Sequence, residues 1–400
     1  MLRSEPTSST GFTPAPPGER TTWDEINPPA PEPKSELANY RLLSPNAAVR
    51  VSPLCLGGTI FGDQWTGWLG SAMGFEESCK LLDTYHEAGG NFIDLASNYQ
   101  DGQSEMIVGE WMEKRGIRDE IVIATKYSTF SLNNKENSFS GVPINYAGNS
   151  RKNLRLTVEA SLKKLRTDYI DLLYVHWWDY SASIPEVMLS LNDLVKSGKV
   201  LYLGISDTPA WIVAQANEFA RQNALTPFAI YQGNWNVGKR DMERDIIPMC
   251  RANGMSVAAW GVLGQGKFKS PDELKDQAYW RDGVPPTEAE LAVSHVLQEV
   301  ADELGEGIRP ANVAMAWARH VVADIFPIVG ISKPEYLQSN IEALKIVLTG
   351  TQIQKLNNAT PFAWGFPFDL FGRDPHYLPG GKPESYGMKS AGHVKFTKMP

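Results

Sequence analysis

Four residues of this chain invite a chemical reading together: Asp94, Tyr99, Lys126 and His176, a carboxylate, a phenol, an ammonium and an imidazole. A phenol with an ordinary pKa near ~10 does not readily give up its proton at neutral pH unless its anion is stabilised. Lys126 beside Tyr99 would favour the phenolate and lower that pKa, and Asp94 would hold Lys126 in place and balance its charge. His176 would hydrogen-bond a carbonyl oxygen and turn it towards the tyrosine. A set so arranged protonates an alkoxide as a hydride arrives at carbon. Taken singly, each residue has a plainer role: Asp94 as a helix cap, Lys126 as a solvated loop lysine, His176 as a satisfied core histidine, Tyr99 as rim packing. Joint placement is what carries the chemistry.

The elements around these residues can bring them together. Eight apolar runs too short for helices read as strands: Leu54–Leu56, Asn91–Ile93, Glu120–Thr125, Tyr169–Val175, Val200–Ile205, Phe228–Tyr231, Ser256–Ala259 and Ile325–Val329. Amphipathic helices lie between them. Leu154, Val158, Leu162 and Leu165 recur on one face of 150–166, and a second helix runs from Ser183, with Glu186 at capping-box spacing and Pro185 in its first turn, to Gly198. Its inner face is Val187, Leu191 and Leu194. The expected fold class is α/β, a (β/α)8 TIM barrel forming a single domain with long loops at its C-terminal face. Residues following the strands then share one mouth: Gly57-Gly58-Thr59, Asp94, Lys126, His176, Ser206-Asp207, Gln232, Trp260 and Gly330. Two connections, 127–149 and 261–288, exceed a plain β-α loop and are expected to build a binding site.

Residues 1–38, rich in Pro, Ser, Thr and Glu, are expected to be a flexible arm. The barrel is expected over 39–360, with an irregular aromatic tail, 361–400, packing near its mouth. A formal net charge of −8 without a long basic stretch argues against a nucleic-acid partner. Cys55, Cys79 and Cys250 show neither disulfide-framework nor metal-ligand spacing, so no metal is expected, and their scarcity suits a reducing cytoplasm. No run approaches the ~20 apolar residues of a membrane helix.

The runs NFIDLASNYQDGQSE (91–105), IATKY (123–127) and LLYVHWWD (172–179) closely resemble the aldo-keto reductases, whose tetrad is Asp, Tyr, Lys and His in this order. More narrowly, VLYLGISDTPAW, IYQGNWNVGKRDMERDIIPMC and AAWGVLGQGKF are similar to the fungal aryl-alcohol dehydrogenase branch, with its norsolorinic acid reductase-like enzymes of polyketide pathways. The likeness runs from about residue 40 to about 376. It implies Asp94, Tyr99, Lys126 and His176 as catalytic residues and NADP(H) as cofactor. Gly58 and Thr59 would belong to the cofactor site, Ser206, Asp207 and Gln232 would hold the nicotinamide carboxamide, and Trp260 would stack on its ring. Leu263, Gly264, Gln265 and Gly266 would approach the pyrophosphate with Lys267 nearby. Ser332 and Lys333 would meet the 2′-phosphate and Asn340 the adenine, Lys333 being the reason to expect NADP rather than NAD.

Departures from the common family pattern are Asp207 for an asparagine, Ser332 for an arginine, Tyr336 and Ser339. The substrate, a small carbonyl compound or alcohol, would meet apolar walls at Trp65, Trp68, Phe130 and Trp177. Two other functions compete. One is a cofactor-binding regulatory subunit with little turnover, similar to the potassium-channel β subunits. The other is a barrel glycosidase, which needs two carboxylates at strand ends, with Asp94, Asp207 and Asp179 on offer.

Overall fold

The computed structural model describes residue 18 and residues 22–69, 73–130, 141–275 and 284–397. A hairpin comes first, β1 (Arg41–Ser44) and β2 (Ala47–Val51), paired antiparallel. Eight parallel strands follow: β3 (Cys55–Gly57), β4 (Phe92–Asp94), β5 (Val122–Tyr127), β6 (Ile170–Val175), β7 (Val200–Ser206), β8 (Phe228–Asn234), β9 (Ser256–Trp260) and β10 (Ile325–Val329). They close into a barrel in chain order, with β10 pairing back to β3. This is the (β/α)8 barrel expected, and each strand lies where an apolar run stood.

Strand ends differ from the sequence reading in an informative way. β5 continues through Lys126 to Tyr127, and β8 through Gln232 to Asn234. Side chains alternate along a strand, so Ala124 and Lys126 share the barrel interior on β5, as Ile230 and Gln232 do on β8. Interior positions at the lower level are apolar, Cys55, Phe92, Ala124, Leu172, Tyr174, Ile230, Ala258 and Phe326 among them. Polar ones begin only at the mouth.

The hairpin was not foreseen. It stops the opposite end of the barrel: Leu43, Ala47 and Val51 pack into the same interior cluster. Arg41 donates to the carbonyls of Ala323 and Ile325, just before and within β10. Asn46 donates to the carbonyls of Asn253 and Gly254, ahead of β9. Residues expected in the flexible arm also dock at its inner end, where Leu37 is fully buried and Ser35 donates to the carbonyl of Ala88. Residues 1–17 and 19–21 of the arm lie outside the described residues.

The helix Arg151–Leu165 starts at Ser150, whose hydroxyl accepts from Asn153 N. Helix Ile184–Lys196 starts at Ser183, whose hydroxyl accepts from Glu186 N. The expected capping box is only half formed, because the Glu186 carboxylate accepts from Arg151 N on the neighbouring helix instead. The tail is anchored by its aromatic residues. Its anchors run down the outside of the barrel, Phe362 under the guanidiniums of Arg240 and Arg244 and Tyr377 under Arg251, at the far end of helix Ile246–Ala252. No helix among the described residues is long and apolar enough to cross a membrane.

Candidate active site

Barrel closure brings Asp94, Tyr99, Lys126 and His176 to one place. Lys126 is fully buried, and its Nζ donates to Asp94 Oδ2 at 2.7 Å, the Leu95 carbonyl at 2.6 Å and Tyr99 Oη at 3.3 Å. An ammonium has three protons, so each has an acceptor. The other oxygen of Asp94 accepts from Gln232 Nε2 at 2.8 Å. Asp94 is thus the counter-ion of a buried ammonium, a use of the carboxylate that fits hydride chemistry better than a pair of glycosidase acids. Asp179 is likewise engaged, accepting from Asn149 N and from Ser181.

Burial would pull Lys126 down, but Asp94 and Tyr99 hold it above its ordinary value, so it stays an ammonium. Burial raises the Tyr99 phenol, Lys126 opposes and Asp94 adds to the rise, and the net direction is upward. Lys126 does lower it, as expected, but the expected net fall is corrected to a rise. In a site this dry, loss of hydration outweighs one adjacent cation. The phenol, also hydrogen-bonded by Thr59, is therefore held in its protonated form. His176 follows β6 directly, its ring 6.1 Å from that of Tyr99. Burial, with Lys126 nearby, pushes its pKa down to about 3, which makes it a neutral hydrogen-bonding group.

The residues expected at the nicotinamide end lie beside this cluster, Gln232 through its bond to Asp94. Ser206, fully buried, donates to Asp207 Oδ2 at 2.9 Å. Desolvation raises the Asp207 carboxyl, against hydrogen bonds from Ser206 and Trp260. Trp260 ends β9 half-buried, facing the mouth. Gly264 and Gly266 both have positive φ, 64° and 87°. A Cβ on Gly264 would strike the Phe268 ring at 2.6 Å, whereas Gly266 has nothing within 4 Å. Gly266 therefore offers open backbone to a ligand, while Gly264 answers to packing. So does Gly58, where a Cβ would meet Leu95 at 2.3 Å.

At the far end, Ser332 and Lys333 are exposed just before helix Pro334–Glu342, whose N-terminus has no side-chain cap, and Asn340 is buried on the same helix. Pro334 has no N–H and Tyr336 N donates to the Lys333 carbonyl, so what fits a phosphate here is the positive end of the helix beside an exposed cation. Lys267 fits less well, since both Glu290 oxygens accept from its Nζ at 2.9 and 3.0 Å. Arg309, absent from the sequence reading, lies over the Tyr336 ring here.

Sequence reasoning also missed how the walls are held. Tyr99 is followed by three left-handed residues, Gln100, Asp101 and Gly102, at φ 51°, 54° and 94°. Gln100 is fully buried, accepting from Trp65 N at 2.8 Å and donating to the Thr59 carbonyl at 2.8 Å. Asp101 accepts from Trp65 Nε1 at 3.0 Å. Trp65 stands edge-on to Tyr99 at 6.2 Å and to Trp68 at 5.8 Å. Trp177 and Phe130 follow β6 and β5, the former 38 % exposed and the latter half-buried.

Residues 53–360 match the aldo/keto reductase family. The chain is 48% identical over 351 residues to norsolorinic acid reductase A of Aspergillus parasiticus, covering 88% of each. It is 49% identical over 367 residues to norsolorinic acid reductase B of Dothistroma septosporum, covering 90% of each. It is 47% identical over 383 residues to the aryl-alcohol dehydrogenase (NADP(+)) of Phanerodontia chrysosporium, covering 93% of this chain and 96% of that one. With a closed barrel and a buried Asp–Lys–Tyr cluster at its mouth, the chain belongs to the aldo/keto reductase family.

Proposed function

We propose that this chain is an NADP(H)-dependent reductase of an aldehyde or ketone, aryl or polyketide-like and belonging to secondary metabolism, which also runs the reverse alcohol oxidation. The observation that carries the reading is Lys126, buried and bonded at once to Asp94, the Leu95 carbonyl and Tyr99. When bound, the reduced nicotinamide supplies the hydride. Tyr99 is the general acid, delivering its Oη proton to the carbonyl oxygen, and Lys126 stabilises the phenolate left behind. Asp94, held by Gln232, keeps the ammonium aimed at Oη. His176 orients the carbonyl oxygen by a neutral hydrogen bond.

Ser206, Asp207 and Gln232 hold the carboxamide and Trp260 supports the ring. Open backbone at Gly266 and the start of helix Pro334–Glu342 with Lys333 take the phosphates. Trp65, Trp68, Phe130 and Trp177 wall the substrate. The names of the relatives support this substrate class, and the three free, buried thiols suit a cytoplasmic enzyme. NADPH oxidation followed with a panel of aryl aldehydes tests the reading, and full turnover by Tyr99→Phe would sink the role given to Tyr99.

A further inference from the structure

We propose that Thr129 is a positioning residue which, held by the indole N–H of Trp177, fixes His176 as the tautomer carrying its proton on Nε2. This rests on the reductase reading above, since it concerns how His176 meets a carbonyl oxygen.

Trp177 Nε1 donates to Thr129 Oγ1 at 3.0 Å, and the same oxygen is 3.0 Å from His176 Nδ1. An indole nitrogen only donates, so one acceptor position of the Thr129 hydroxyl is taken. A hydroxyl that accepts on one side is polarised to donate on the other, and Nδ1 stands within reach. If Nδ1 accepts, a neutral imidazole has its single proton on Nε2. Nε2 lies on the ring edge away from Thr129, on a ring that stands edge-to-face with Tyr99 at 6.1 Å. A carbonyl oxygen gaining negative charge there meets two donors, the phenol and the imidazole N–H. The opposite tautomer would turn a lone pair on it.

Thr129 and His176 are 47 positions apart in sequence, and the backbone joins them: His176 N donates to the Tyr127 carbonyl at 2.9 Å, bringing the ends of β5 and β6 level. Trp177 is then both a wall for substrate and the first link of a chain that ends at the proton meeting that substrate.

The test is nitrogen NMR on protein labelled with 15N-histidine, with His176→Gln identifying the His176 signals among the six histidines. Wild type and Thr129→Ser are expected to show an unprotonated Nδ1 and a protonated Nε2. Thr129→Val, of similar shape without the hydroxyl, is expected to show a mixed or reversed tautomer, with kcat/KM for an aryl aldehyde falling about 10- to 100-fold and serine restoring most of it. Trp177→Phe should lie between. Wild type protonated on Nδ1, or Thr129→Val keeping the wild-type tautomer, overturns the proposal. The shifts are read without substrate, so a failed turnover assay counts against the reductase reading alone.

Discussion

Lys126 is fully buried on a barrel strand with an acceptor for each ammonium proton, whereas Trp68, edge-on to Trp65, is 53 % exposed on the one-turn helix Thr66–Leu69 that interrupts the connection after β3. The same contrast separates Gln232 on β8, 3 % exposed and bonded to Asp94, from exposed Ser332 and Lys333 beyond β10. Asp94, Lys126 and Gln232 sit on strands, where the ladder sets their height and neighbouring strands their spacing, and Tyr99, five residues beyond β4, reaches them from a short 3-10 turn. Groups that select what enters sit on loops, where replacement costs the fold little. Trp65 lies between the two. It is a loop residue tied by Gln100 and Asp101 to the segment carrying the general acid, in left-handed backbone that costs on the order of 1 kcal/mol per residue.

That contrast can be broken first at its most rigid point. Tyr99→Phe should lower kcat/KM for carbonyl reduction about 10²- to 10⁴-fold while leaving tryptophan-fluorescence quenching by NADPH unchanged; loss of both would mean the phenol serves folding or binding. Asp94→Ala leaves a buried ammonium short of its carboxylate and should cost about 3–5 kcal/mol in urea unfolding, an effect no loop substitution here should approach. Lys333→Ala should weaken NADPH binding roughly tenfold, a loss of about 1.4 kcal/mol, with NADH binding little altered; equal losses for both cofactors would detach Lys333 from the 2′-phosphate.

Asp101→Ala should raise KM for aryl aldehydes several-fold with kcat nearly unchanged, the pattern of lost uniform binding. The smallest effect is an expected flatness. His176, with its pKa pushed to about 3, takes up a proton only below that value, and Tyr99, held above its ordinary value, loses one only on the alkaline side. A kcat/KM profile for reduction should therefore show no limb between pH 5 and 8, and a fall towards pH 5 would contradict the neutral imidazole.

All eight barrel strands were legible because buried parallel strands read as unbroken apolar runs. Their ends were not, since Lys126 and Gln232 look like loop residues until the barrel surrounds them. The hairpin has a local signal, Pro45-Asn46 between RLLS and AAVRV, but two runs so short do not stand out beside the barrel strands. The tetrad was visible as spaced residue types, but the direction of the Tyr99 shift was hidden, because hydration lost on burial is a property of the assembled cleft. Gln100 and Asp101 gave no sign either. Their partners lie 35 to 41 positions away, and no spacing rule reaches that far. Lys267 looked available to a phosphate until Glu290, on a later helix, was found to hold it.

The hairpin stopping the barrel has a consequence for the order of events in turnover. Beneath Lys126 the interior is filled by Ala124, Leu172, Ile230 and Phe326, with Tyr174 and Cys55 among them, and is closed below by Leu43 and Val51. On the proposed mechanism, a proton that Tyr99 gives away is replenished from the side through which substrate came, because the packed interior closes the other. Departure of the alcohol and recharging of the acid therefore share one entrance, and whatever covers that entrance sets the pace of both.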